Sequence, residues 1–395
     1  MKMINNRKVN KGILRTTLCP LWLIILLLII SCKNTRPASV NATEPEAVIK
    51  EEVIPRYDLT FVAAGDNLFH ITVINAHKQR DGSYDFSPIY TEVKDIIQNA
   101  DIAFINQETV MAGTAFGYQG YPTFNTPQSL AGTLVETGFD VINLANNHAM
   151  DMGRAGLYNT LDLFDTFEDI TVIGARKTGE SQRIITKNNI TLGFLSYAHD
   201  LNGFALPRGE PNLVSVVNRN RMAQEISALR PLCDFLIVSM HWGDEYMLIE
   251  PVRSQKDLAL FLAEQNVDLI IGHHPHVLQR VESLPRPDGK QTICFYSLGN
   301  YVSHQVERDR VLGGMLAATF TKEGDRLSIS DFGMIPIVTH FEPGYVNTKV
   351  YPFYSYTQEI LNRHLLHHRD RNMDFEYFKS VLNRLDTKIF MFNPF

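Results

Sequence analysis

Cysteine is scarce in this chain, a surplus of positive charge is missing, and no apolar run reaches the length of an ordinary membrane-spanning helix. Four cysteines in 395 residues exclude a disulfide-dense scaffold. Cys19 and Cys32 lie near the N-terminus, which leaves Cys233 and Cys294 at the starts of apolar, strand-like runs. Core packing and a single bridge are both open for that pair, and its spacing is not that of metal ligands. With 37 Lys and Arg against 43 Asp and Glu the formal net charge is −6, and removing the five positive charges of the first 31 residues leaves −11. Such a body is not expected to bind nucleic acid through a basic surface. An anionic substrate would have to be drawn by bound metal or a local patch. No internal repeat is evident, and a hydrophobic content of 45% is enough for one large core.

Lys2, Arg7, Lys8, Lys11 and Arg15 precede the apolar run Leu21 to Ile30 and then Ser31-Cys32. This order reads as a secretory signal over residues 1–31, and it resembles the bacterial lipobox, in which the cysteine, here Cys32, is acylated. The alternative is an uncleaved anchor, but a core of about ten to fourteen residues is short against the roughly twenty a spanning helix needs. Residues 32–56, rich in Pro, Thr, Ala and Glu without periodicity, are expected to be a flexible tether. The expected location is therefore outside the cytoplasm, as a membrane-anchored lipoprotein at the cell surface or on the periplasmic side.

From residue 57 short apolar runs alternate with amphipathic segments. Strands are expected near 59–65, 102–107, 140–146, 170–174, 191–197, 234–241 and 267–272, with helices near 88–99, 128–137, 153–167, 217–229 and 254–265. Such alternation predicts an α/β protein with a largely parallel sheet buried on both faces. After 276 the turn signals Pro287-Asp288-Gly289 and Gly324-Asp325 separate further strands without helices, predicting antiparallel hairpins that complete a second sheet. The body is expected over 57–345, with a helical cap over 346–395.

The chemistry gathers where the strands end, which is where open α/β sheets bind ligands. Asp66, Glu108, Asn147, His148, His241, His274 and His276 all occupy such ends. Two carboxylates facing several imidazoles repel one another unless neutralised, and a divalent metal is the natural neutraliser. Mixed oxygen and nitrogen ligands suit Zn, Mn, Fe or Co, as one or two ions, better than Ca. An Asn147 carbonyl can ligate metal, His148 can donate a proton, and Asp151 either orients His148 or complements a helix N-terminus.

Gly65-Asp66, Asn106-Gln-Glu108, Asn146-Asn-His148 with Asp151-Met-Gly153, His241-Trp-Gly243 with Glu245, Gly272-His-His-Pro-His276 and Tyr296-Ser-Leu-Gly-Asn300 occur in one order over roughly 57–305. This set resembles the CapA-type proteins named for poly-γ-glutamate capsule synthesis, within the calcineurin-like metallophosphoesterase superfamily. The resemblance implies a four-layer α-β-β-α metallophosphoesterase-like sandwich. It also implies that Asp66 and His276 hold one metal, Glu108 bridges, Asn147, His241 and His274 hold a second, and His148 with Asp151 serves catalysis. The wider pattern begins Asp-x-His where this chain has Asp66-Asn67-Leu68, so His70 is the alternative ligand and a single-metal site the alternative outcome.

The implied function is a metal-dependent hydrolase, cleaving phosphoester or amide bonds, in the synthesis or processing of a capsule or envelope polymer. The alternative is a non-catalytic accessory protein that binds an anionic polymer or scaffolds membrane-bound synthase subunits. Trp242, Glu245 and Asn300 are expected to contact substrate, although packing under the sheet for Trp242 and an ordinary turn for Asn300 are open. His199 and Asp200 are candidates for the rim. His273 is expected to point away from His274 and His276, and His364, His367 and His368 to lie on a solvated basic face.

Overall fold

The computed structural model describes residues 54–178 and 183–395, so the expected signal segment, Cys32 and almost all of the expected tether lie outside the described residues. Strand β1 (Arg56–Asn67) opens the body and is followed by three short helices, α1 (Ile71–Ala76), α2 (Ser87–Tyr90) and α3 (Lys94–Asn99). The chain continues with β2 (Ile102–Gln107), α4 (Ser129–Thr137), β3 (Val141–Asn143), α5 (Gly153–Phe164) and β4 (Thr171–Ile173). Strands β1 to β4 pair in parallel, each crossing over through helix. The second sheet begins with β5 (Arg183–Lys187), β6 (Ile190–Ala198), α6 (Arg219–Leu229), β7 (Phe235–His241), α7 (Arg253–Glu264) and β8 (Leu269–His273). It is completed by the hairpin β9 (Val281–Pro285) and β10 (Gln291–Phe295), in the order β5-β6-β7-β8-β10-β9.

The remaining hairpins correct the sequence-based expectation. Strand β11 (Asn300–Val302) returns to the first sheet beside the end of β1, and β12 (Leu312–Glu323), β13 (Arg326–Glu342) and β14 (Val346–Pro352) extend that sheet on the free side of β1. Of the strands after 276, only β9 and β10 belong to the second sheet. Alternation tells which face of a strand is buried but not which edge it joins. The segment 346–395 likewise begins as strand rather than helix, and then forms α8 (Gln358–Arg363), α9 (Leu365–Arg369) and α10 (Phe375–Leu382).

Side-chain alternation builds four layers. In β1, Leu59, Phe61 and Ala63 enter the core between the sheets, where they meet Leu192, Phe194, Phe235, Ile237, Leu269 and Ile271 of the second sheet. Val62 and Ala64 face the helices of the first sheet, and Leu236, Val238 and Met240 of β7 face the α6–α7 side of the second. The result is the expected α-β-β-α sandwich. Leu361, Leu365, Phe378 and Leu382 of the tail helices join the inter-sheet core, so the tail closes one end of it.

That closure buries two of the three histidines expected in water. The chain breaks between α8 and α9 at His364, whose Nδ1 accepts from the Leu366 amide at 3.0 Å while Nε2 meets the Thr339 carbonyl at 3.1 Å. His367 is also buried, against the Met373 carbonyl, and only His368 faces solvent. Burial lowers His364 to a pKa of about 3, assisted by nearby His340, and lowers His340 to about 4, assisted by Arg363 and Lys349. Both are neutral in the fold, whereas unfolded histidines take up protons below about 6.5, so stability is full above pH 6.5 and falls as pH drops towards 4. Each of the two should account for about 3 kcal/mol of that loss by about pH 4. In thermal melts from pH 7 to 4, His340→Gln should show a shallower decline than the unsubstituted protein, and equal slopes would count against this assignment.

Candidate metal centre

Parallel strands bring their carboxyl ends to one rim, and the candidate residues meet there. Asp66 lies at the end of β1, Glu108 just past β2, Asn147 and His148 in the turn after β3, His241 at the end of β7, and His274 and His276 just past β8. Gly65 lets β1 approach the loop before β11 closely, since a Cβ at that position would lie 2.1 Å from the Gly299 oxygen. The β1–β2 register also shifts between Ala64 and Asp66, a bulge that re-aims the carboxylate. His274 and His276 adopt φ of 96° and 58° on either side of Pro275. Non-glycine residues rarely take such values, and the conformation turns both rings back towards Asp66 and Glu108.

Asp66 and Glu108 are both fully buried. Asp66 Oδ1 accepts from Asn106 Nδ2 at 2.8 Å, and its Oδ2 meets the His274 amide at 3.2 Å and His276 Nδ1 at 3.1 Å. Burial alone would raise its pKa, but the hydrogen bonds and charges of His273 and His276 hold it well below the usual carboxylate range. Glu108 is pushed the other way, first by burial and then by the charges of Asp66, Glu245 and Asp151. Its neighbours are His241 Nε2 at 3.5 Å and His276 Nε2 at 3.8 Å.

Asn147 Oδ1 lies 2.8 Å from His241 Nε2, which is also 3.1 Å from His274 Nδ1. Asn147 turns its carbonyl to this point because its Nδ2 donates to Asn202 Oδ1 at 3.1 Å. Burial and the neighbouring histidines lower both His241 and His274 well below the ordinary histidine value, which leaves neutral rings with lone pairs to offer. Hydrogen bonding satisfies this cluster poorly, for neither oxygen of Glu108 has a hydrogen-bond partner. A divalent cation fits these donors, taking a lone pair from each where a proton serves one. Asp66, Glu108 and His241 present ligand atoms within 4.8 Å of one another, as do Glu108, His274 and His276, so Glu108 is common to both groups.

Beside this cluster His148 Nδ1 lies 2.8 Å from Asp151 Oδ2, and Phe124 presents its ring edge-on to the imidazole at 4.6 Å. Asp151 Oδ2 also accepts from the Phe124 amide at 2.6 Å. Of the two readings open for Asp151, the structure selects orientation of His148.

Other expectations need correction. Trp242 does not wall the site: it stacks on Tyr296 under the second sheet and donates Nε1 to the Tyr296 carbonyl at 2.9 Å. The pleat explains this, because His241 faces the other sheet and the next residue must face the helices. His273 is turned between the sheets by the same alternation, stacked on Phe104, and its Nδ1 lies 3.4 Å from Asp66 Oδ1. Asn300 is buried, and its Nδ2 donates to Gln305 and to the Arg310 carbonyl, so the NH₂ orders the rim loop while Oδ1 has no hydrogen-bond partner. His70 is not among the grouped ligand atoms and packs edge-on against Phe124. Glu245 is exposed at the rim beside Tyr246, whose ring lies 6.1 Å from that of His276. His199 sits 4.7 Å from the His274 ring and pairs with Asp200 at 2.6 Å. Cys233 and Cys294 are free thiols.

Sequence reasoning passed over Asn143, Ser196 and Asn202, which hold the site polar groups in place. Polar residues inside an otherwise apolar strand were the signal that could have found the first two.

Comparison with known proteins sets the chain among capsule proteins. It is 29% identical over 300 residues to the capsule biosynthesis protein CapA of Bacillus anthracis, covering 72% of this chain and 69% of that one. It is 34% identical over 179 residues to the PGA biosynthesis protein CapA of Bacillus subtilis strain 168, covering 44% of each. Among solved structures it is similar to the calcineurin-like phosphoesterase YfkN of Bacillus subtilis, at 12% identity and a TM-score of 0.43, over 83% of this chain and 99% of that one. Residues 60–305, most of the described body, match the family described as bacterial capsule synthesis protein PGA_cap, and the chain belongs to that family.

Proposed function

We propose that this chain is an exported, lipid-anchored, metal-dependent hydrolase acting in the synthesis or processing of a capsule or envelope polymer. The observation that carries the reading is the convergence of Asn147, His241, His274 and Glu108 on one point, with an oriented histidine beside it. The relatives named for capsule and PGA biosynthesis support the choice of polymer. Asp66, Glu108, Asn147, His241, His274 and His276 would hold the metal. A bound divalent ion supplies Lewis acidity and a supply of acidified water at an ester or amide group.

The residues of the chain do the rest. Asp151 takes Nδ1 of His148, so Nε2, on the opposite side of the ring, is the nitrogen that holds or moves a proton at the leaving group. Phe124 keeps the ring upright and dry on one side. Asn202 holds the Asn147 amide, and the exposed Tyr246, with Arg310 stacked 3.5 Å over it, borders the entrance.

The test is turnover of an aryl phosphate and of a γ-glutamyl anilide by protein loaded with Mn²⁺. His148→Ala should lower kcat/KM by about a hundredfold with metal content unchanged. Equal turnover in the variant would sink the role of His148, and absence of turnover with metal bound would favour a polymer-binding protein instead.

A further inference from the structure

We propose that Asn143 and Ser196 are positioning residues of the metal centre, acting on Asp66 through Asn106. The inference rests on the metal-centre reading above. Ser196 Oγ donates to Asn143 Oδ1 at 2.5 Å, Asn143 Nδ2 donates to Asn106 Oδ1 at 2.8 Å, and Asn106 Nδ2 donates to Asp66 Oδ1 at 2.8 Å. Asn143, Asn106 and Asp66 are fully buried and Ser196 is nearly so. The line starts in β6 of the second sheet and passes through β3 and β2 of the first to the end of β1.

Its direction is set by the backbone. The amide of Ala145, a donor that cannot reverse, points at Asn143 Oδ1 from 3.1 Å. Asn143 must therefore turn its carbonyl to Ala145 and Ser196 and its NH₂ to Asn106. Asn106 is then obliged to accept from Asn143 and to donate to Asp66. A flipped Asn106 would set its oxygen against the carboxylate and bring two NH₂ groups together. Every link thus delivers an N–H or O–H towards Asp66, and aligned hydrogen bonds in a dry interior strengthen one another. With Oδ1 fixed in this way, Oδ2 is left towards His274 and His276, on the ligand side.

A network that merely joined the two sheets would have no need to end on a site carboxylate or to run in one direction. The roles are separable by experiment. Co²⁺ alone is titrated into the protein, Asn143→Ala, Ser196→Ala and Ile142→Val, the last a neighbour on β3 buried in the sheet–helix core. Asn143→Ala should raise the Co²⁺ Kd by about tenfold to a hundredfold and alter the visible spectrum of the bound ion. Ser196→Ala, one link further out, should raise it about fivefold. Ile142→Val should leave Kd and spectrum unchanged although its melting temperature falls. Should Asn143→Ala fail to fold, Ser196→Ala decides. Wild-type Kd and spectrum in the alanine variants, with Co²⁺ bound by the unsubstituted protein, would overturn the inference. Failure of the unsubstituted protein to bind Co²⁺ would overturn the metal-centre reading and this inference with it.

Discussion

Glu108→Gln is expected to stabilise the metal-free protein and at the same time to abolish tight metal binding. Glu108 is fully buried without a hydrogen bond to either oxygen, and burial together with Asp66, Glu245 and Asp151 raises its pKa well above the usual value. A carboxyl whose folded pKa lies above its unfolded one costs stability that grows as pH rises from the unfolded value to the folded one. At neutral pH an uncharged amide of the same shape removes that cost, worth about 1 to 3 kcal/mol. The same change takes away the anion common to both ligand groups. The Mn²⁺ Kd should rise by at least about a thousandfold, or about 4 kcal/mol. Melting curves separate the two effects. In chelator the variant should melt above the unsubstituted protein, whereas added Mn²⁺ should raise the melting point of the unsubstituted protein and leave the variant unmoved. A variant less stable in chelator, or one that responds equally to Mn²⁺, would contradict the account.

Gly272→Ala is the substitution expected to cost most stability. A Cβ there would lie 1.9 Å from the Tyr296 oxygen, 2.4 Å from its carbonyl carbon and 2.7 Å from the Phe295 oxygen. All three are backbone atoms, so no side chain can swing aside, and relief requires β8 and β10 to part. The Tyr296 oxygen is also the acceptor for Trp242 Nε1, and Gly272 is followed directly by His273 and His274. We expect a loss of about 4 kcal/mol or more, read as loss of soluble protein or a large fall in the urea midpoint. Gly132→Ala in α4 is the matched comparison, because nothing lies within 4 Å of its added Cβ. Alanine in that helix interior should stabilise by about 0.5 to 1 kcal/mol. Similar effects at the two positions would show that close backbone approach at Gly272 is not what demands glycine.

Much of the site is legible in the sequence because its residues obey local rules. An apolar run ending in Gly65-Asp66, Gln107-Glu108, Asn147-His148 or His241 announces both a strand and the edge at which its last polar group emerges. The run into His273-His274-Pro275-His276 does the same for the second sheet. Pattern failed where the answer depends on a partner distant in sequence. The strands after 276 were recognised, but the edge that accepts β12 to β14 is the free side of β1, more than 200 residues earlier. His364 stood among arginines and was expected in water, yet the break before α9 turns it under β13.

By itself, then, the amino-acid order determined the alternation of strand and helix, the rim and the types of donor collected there, because side-chain period is a property of short segments, while the four layers followed only from the family resemblance. Only the tertiary structure decided that Trp242 is core and His273 is not remote, that Asp151 belongs to His148, and that Asn143 and Ser196 speak to Asp66. Those are matters of hydrogen-bond direction and of one or two ångströms between residues as far apart as Asp66 and His276, and no short-range pattern carries that information.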